Sequence, residues 1–293
     1  MISAEDIDGC ATLMPCDPGG HLVIEPALAW LGTVLASMAG GLVIYFAVAG
    51  YYHYRYYVRA RETPEAWKLQ PKRIVKPAQQ RRAILASSRN LAIGGLITGT
   101  LVFAMQQGWR TPIYFEVEEY GWTWTLLGLP LLFVLVDGAA YYVHRLLHWP
   151  FFYRRFHKFH HRWGAPTPWV VVAVHPVEFL LLQAATFLPL FVLPFHYLVV
   201  IAVFVYVLVF NIVDHSGVRL TSLLPWQGPS AYHDDHHVHF HVNFGQHLTL
   251  FDRLHGTLRR ERRTYGVENF GGRGRPEQEV EEEEAGPPPF VRY

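Results

Sequence analysis

Seventeen histidines punctuate this 293-residue chain, and fifteen of them lie between His144 and His255. They fall in sets with metal-ligand spacing: His144/His148 in HRLLH, His157/His160/His161 in HKFHH, and His233/His236/His237 in HDDHH. His239 and His241 follow the last set, and an Asn-Phe-Gly closes it. Neutral imidazole is the commonest metal ligand near pH 7, and residues three and four apart share one helix face. An H-x-x-H-H run is therefore expected to present three nitrogens to one point in space. With His215 the sets offer nine ligands, too many for one tetrahedral zinc and enough for two metals. HRLLH lacks the glutamate of a zinc-peptidase motif, so that hydrolytic mechanism has no general base. Cys10 and Cys16 lie ahead of the first apolar run, so Cys-rich zinc modules and haem-thiolate chemistry have no ligand here. The two cysteines are either separate thiols or, in an oxidising lumen, a pair.

The elements that must position these residues are apolar runs nearly free of charge, separated by polar stretches, which is the pattern of a membrane protein. Residues 1–26 carry acids and no Lys or Arg, so they read as a lumenal segment rather than a cleavable signal. Spans are expected at Ala27–Gly50, Asn90–Gln107 and Gly121–Val143, the last delivering His144 at its inner end with Asp137 close by. Ten Lys/Arg against two acids between 51 and 89 make that stretch a cytoplasmic loop. From Phe179 to Val213 there is no charge, and Pro189 and Pro194 interrupt the run, so 179–213 is expected to be a helical hairpin in the membrane. Residues 271–293 read as a disordered acidic tail. The fold class is thus all-α, an integral membrane protein with about four transmembrane helices in 27–135 and the hairpin, capped by a cytoplasmic histidine-rich helical domain over 136–260. The net charge of +1 offers no field for nucleic acid. A metal transporter would place its ligands at mid-bilayer on broken helices, whereas these spans hold almost no histidine.

The order HRLLH, HKFHH, HPVE (His175–Glu178), DHSG (Asp214–Gly217), HDDHH and NFG resembles the fatty acid hydroxylase/sterol desaturase superfamily, from about Val136 to about Leu258. The resemblance implies a di-iron centre that activates O2, held by His144, His148, His157, His160, His161, His215, His233, His236 and His237. It also implies electrons from NAD(P)H through cytochrome b5 and its reductase, and residence in the endoplasmic reticulum membrane with the active site facing the cytoplasm. Asn211 stands where some relatives have a histidine and is a candidate weak ligand. His175 and Glu178 are expected to hold the loop or support a ligand, and His239 and His241 to be polar neighbours or ligands. Asp214, Asp234, Asp235 and Asp252 are expected to orient the ligand rings. His21, His53, His196, His247 and His255 read as interface or surface histidines. The run Phe240–Arg259, with APTPW and the Leu193–His196 turn, looks most like sterol C-5 desaturases. That implies oxidation of an unactivated C–H bond, with sterol C-5 desaturation as the leading reaction. The alternative is a hydroxylase or C-4 methyl oxidase acting on a sterol, sphingoid base or fatty acyl lipid.

Overall fold

The computed structural model describes residues 26–221 and 227–259. Cys10, Cys16, the N-terminal segment and the acidic tail lie outside them. Every regular element among the described residues is helical, and β-structure is confined to three isolated bridges. The α-helices are α1 (Pro26–Tyr52), α2 (Pro64–Trp67), α3 (Pro77–Gln106), α4 (Gly121–Leu147), α5 (Pro150–Arg155), α6 (Pro176–Phe187), α7 (Tyr197–Asp214), α8 (Ser230–His239) and α9 (Leu250–His255). Several begin on proline, whose missing N–H costs nothing at a first helical position.

Among the described residues three helices are long and apolar enough to cross a membrane: Pro26–Val58, Gly121–Leu147 and Tyr197–Asp214. The expected span at Asn90–Gln107 falls largely in the second half of α3, a 30-residue helix whose first half carries Arg81, Arg82 and Arg89. The basic stretch 51–89 is also less of a loop than expected, because α1 runs on as a π-helix (His53–Val58) and α3 starts at Pro77. Arginine and lysine are good helix formers, so the charge of this stretch does not mark an absence of structure. The apolar run 179–213, expected as a hairpin, is not one helix but is broken at its prolines. Helix α6 continues as a 3-10 turn, Leu188–Phe191, and α7 begins at Tyr197 after the break at Pro194.

The described residues pack as two units, 26–41 with 92–110, and 42–91 with 111–221 and 227–259. In the smaller unit α1 meets α3 at Gly95 and Gly99. A Cβ on Gly95 would lie 2.6 Å from Met38 Cα, and one on Gly99 would fall on the Val34 backbone. Small residues four apart let two helices approach to backbone contact where lipid offers no hydrophobic drive.

The larger unit has its core around Tyr45, Ala83, Trp163, Trp169, Val170 and Ile212. Polar side chains fix the loop that crosses it. Tyr45 and Ser87 hydroxyls both donate to the Trp169 carbonyl at 2.9 Å, and Asn90 Nδ2 donates to the Val172 and Val174 carbonyls at 2.8 and 2.9 Å. Helix α4 packs against α6 and α7, and Trp124 Nε1 donates to the Pro194 carbonyl at 2.8 Å, fixing the hairpin bend. Just after His215, Gly217 has φ +67°, and a Cβ there would lie 2.5 Å from the Pro166 carbonyl oxygen. Only glycine makes that turn without strain.

Candidate metal centre

Four segments converge to form the site. Helix α4 ends in His144 and its cap His148, one turn apart. The 3-10 helix His157–Arg162 supplies His157, His160 and His161. His215 caps the end of α7, and α8 supplies His233, His236 and His237. All nine are buried. They form two groups, within each of which one nitrogen per ring lies within 4.8 Å of every other: His144, His148, His157, His161 and His236, and then His160, His215, His233 and His237.

The expectation that each H-x-x-H-H run aims at one point is corrected by this division. In each run the i, i+4 pair enters one group and the i+3 residue enters the other: His157 and His161 against His160, and His233 and His237 against His236. Helix geometry gives the reason. Adjacent side chains diverge by about 100° on an α-helix such as α8 and about 120° on a 3-10 helix such as His157–Arg162, so an His-His dipeptide reaches to two places. One run therefore bridges two adjoining groups, with His161 and His237 ring centroids 5.0 Å apart across the boundary.

Hydrogen bonds fix which nitrogen of each ring faces inward. Nδ1 of His144 donates to the Phe244 carbonyl at 2.7 Å, and Nδ1 of His236 to the Val242 carbonyl at 2.7 Å. His215 Nδ1 donates to the Asn211 carbonyl at 2.8 Å, and His157 Nδ1 to Glu178 Oε1 at 2.6 Å. Their Nε2 atoms are then bare lone pairs pointing to the group centres. In the first group, Nε2 of His161 lies 3.0 Å from that of His157 and 3.2 Å from that of His236. In the second, Nε2 of His215 lies 2.9 Å from that of His233 and 3.3 Å from that of His160.

Lone pairs at such distances repel unless a cation lies among them. Ligands about 2.1 Å from one ion stand roughly 3.0 Å apart at right angles and about 3.4 Å apart in a tetrahedron, so the spacing fits one ion per group. Neither nitrogen of His148 or His237 has a hydrogen-bond partner among the described residues, as suits rings kept for a metal. Burial, reinforced by neighbouring imidazoles, holds His148, His160, His161, His233, His236 and His237 well below the ordinary imidazole value. Burial pushes His215 down to about 4. These rings are neutral at physiological pH, which is the form that binds metal.

The remaining expected residues divide by role. Glu178, buried at the start of α6, contacts His157 directly. Asn211 contributes its backbone carbonyl to His215. His175 lies outside both groups and caps α6, its Nδ1 accepting from the Val177 N–H. His239 and His241 also lie outside both groups, half-buried and exposed at the end of α8. Asp234 and Asp235 are buried on α8, and Asp234 Oδ1 accepts from Gln70 Nε2, tying α8 to the basic segment. The expectation that Asp252 orients a ring is corrected. It accepts from the Phe244 and Gly245 N–H groups, the Thr257 hydroxyl and the Tyr232 hydroxyl, and so fixes the loop whose Phe244 carbonyl holds His144. The sequence hid this because backbone carbonyls, which any residue supplies, do most of the orienting. His247 is corrected too: it is buried, 1% exposed, and not a surface histidine.

Residues 129–257 match the family model described as fatty acid hydroxylase. The chain is 32% identical over 221 residues to the Delta(7)-sterol 5(6)-desaturase ERG3A of Gibberella zeae, covering 75% of this chain and 60% of that protein. It is 34% identical over 176 residues to the Delta(7)-sterol 5(6)-desaturase erg31 of Schizosaccharomyces pombe, covering 60% and 58%. It is 32% identical over 185 residues to the lathosterol oxidase of Mus musculus, covering 62% of each. The chain thus spans about three-fifths of these relatives' length. No solved structure matches it.

Proposed function

We propose that this chain, whose residues 129–257 match the family model described as fatty acid hydroxylase, is a membrane-bound di-iron oxygenase that desaturates a sterol at C-5 in sterol biosynthesis. The observation that carries the reading is the pair of adjoining all-histidine groups, buried where α4 and α7 end. Breaking an unactivated C–H bond needs an oxidant that no side chain provides, and iron held by these rings would supply it from O2. His144, His148, His157, His161 and His236 would hold one iron, and His160, His215, His233 and His237 the other. Each desaturation removes two hydrogens from the lipid and consumes one O2, two electrons and two protons, releasing two waters. The electrons come from NAD(P)H through cytochrome b5 and its reductase, and the enzyme faces the cytoplasm from the endoplasmic reticulum membrane. The basic residues between 51 and 89 support that orientation by the positive-inside rule.

The protein's own contributions are orientation and exclusion of water. Glu178 and the carbonyls of Phe244, Val242 and Asn211 hold four rings in one tautomer, so the inward nitrogens need no rearrangement. The rings of Phe244 and Phe240 lie 5.0 Å from His148 and 4.9 Å from His161 and shield the first group.

The test is expression in cells lacking their own C-5 sterol desaturase. Restoration of the 5,7-diene sterol supports the reading. A new hydroxylated lipid in its place would move the reaction to hydroxylation and identify the substrate by mass.

A further inference from the structure

His247 lies outside both histidine groups, yet it is buried and neither ring nitrogen has a hydrogen-bond partner among the described residues. Its backbone is held firmly. The N–H donates to Asp137 Oδ1 of α4 at 2.9 Å, and the carbonyl accepts from the Gly228 N–H at 3.3 Å. Phe133 of α4 and Tyr206 of α7 flank the ring, with centroids 5.9 and 5.4 Å away. Asp214 Oδ2 is 3.8 Å from Nδ1, too far for a hydrogen bond, and the Gln227 side chain hydrogen-bonds Asp214. Asp214 directly precedes His215, a member of the second histidine group, and the two helices that flank the ring, α4 and α7, are both long and apolar enough to cross a membrane.

A buried imidazole with both nitrogens unpaired costs free energy and is retained where a ligand completes it. Burial pushes His247 down to about 3, so the ring is neutral and offers one N–H and one lone pair. A hydroxyl, itself both donor and acceptor, matches either nitrogen. A carboxylate or phosphate would meet the Asp214 carboxylate. The aromatic neighbours suit the apolar body to which such a hydroxyl is attached.

We propose that His247 binds the alcohol of the lipid substrate and so determines which carbon is presented to the adjoining histidine groups. For a sterol, whose ring hydroxyl lies close to C-5, this would anchor the molecule at its polar end; that identity rests on the proposed function.

The test is equilibrium binding of a radiolabelled Δ7-sterol and its 3-deoxy analogue to the full-length, iron-loaded protein in detergent. The wild type should prefer the alcohol by about tenfold or more. His247→Phe, which keeps an aromatic ring, should abolish the preference while binding the deoxy analogue within about twofold of wild type. His247→Gln, which keeps a donor and an acceptor, should retain most of it and guards against misfolding of the first variant, as does an unchanged iron content. A preference that survives in His247→Phe overturns the proposal, since the nitrogens then serve a bound water or nothing. Should the wild type bind neither sterol, the sterol reading fails by itself. The same variants are then compared with a long-chain alcohol and its alkane, where loss of the alcohol's advantage in His247→Phe supports the role of His247 and its persistence or absence in wild type refutes it.

Discussion

Replacing Glu178 should empty one histidine group and spare the other. Its Oε1 accepts from His157 Nδ1 at 2.6 Å, with both side chains 1% exposed, and His157 belongs only to the first group. A hydrogen bond to a charged group contributes about 1.5–3 kcal/mol and a neutral one about 0.5–1.5. Glu178→Gln, which keeps an acceptor without the charge, should therefore lose about 1 kcal/mol, somewhat under tenfold in affinity. Glu178→Ala leaves the buried Nδ1–H unpaired, a further cost of about 1–3 kcal/mol, so the total of about 2–4 kcal/mol corresponds to roughly a 30- to 900-fold weaker first site. The assay is iron content after dialysis against graded chelator. Wild type should hold two equivalents, Glu178→Ala should fall to one at chelator levels that leave wild type intact, and Glu178→Gln should lie between. Two equivalents in Glu178→Ala, released at the wild-type chelator midpoint, would refute both the ligand role of His157 and its support by Glu178.

Asp252→Asn should lower thermal stability by about 2–3 kcal/mol and loosen the first iron, because an amide cannot accept from all of the donors that converge on that carboxylate. Gly99→Leu should destabilise the α1–α3 pair by about 1–3 kcal/mol, read as a lower melting temperature in detergent, since the Val34 backbone cannot yield. Acidification should destabilise the iron-free protein. His148, His160, His161, His215, His233, His236 and His237 have folded values below the ordinary imidazole value of about 6.5, so the unfolded chain binds more protons once the pH falls below that. Stability is complete above about pH 6.5 and declines below it, by up to about 1.4 kcal/mol per pH unit per ring. Denaturant unfolding at pH 7.5 and 5.5 measures it, and equal midpoints would show that these rings are accessible to protons in the folded state.

The sequence alone determined the residue set and the layering. The spacing of HRLLH, HKFHH and HDDHH identified the imidazoles, and charge-free runs of bilayer length identified the long helices that deliver His144 and His215. Local periodicity is enough for both, because each depends only on neighbours a few residues apart. It also made the break of the run 179–213 at its prolines legible. The partition of the histidines was a matter for tertiary structure: the direction of His160 against His157 depends on where α7 brings His215 and how α8 lies across both. So did the supports. The Phe244 and Val242 carbonyls have no side-chain signature, and Asp252 acts through a loop seven and eight residues before it. Nothing in the residues around His247 marks it as buried; Asp137, 110 positions earlier, holds its backbone, and Phe133 and Tyr206 flank its ring. Spacing along a chain fixes which side chains can meet on one element, whereas the pairing of elements, set by packing, fixes which of them do.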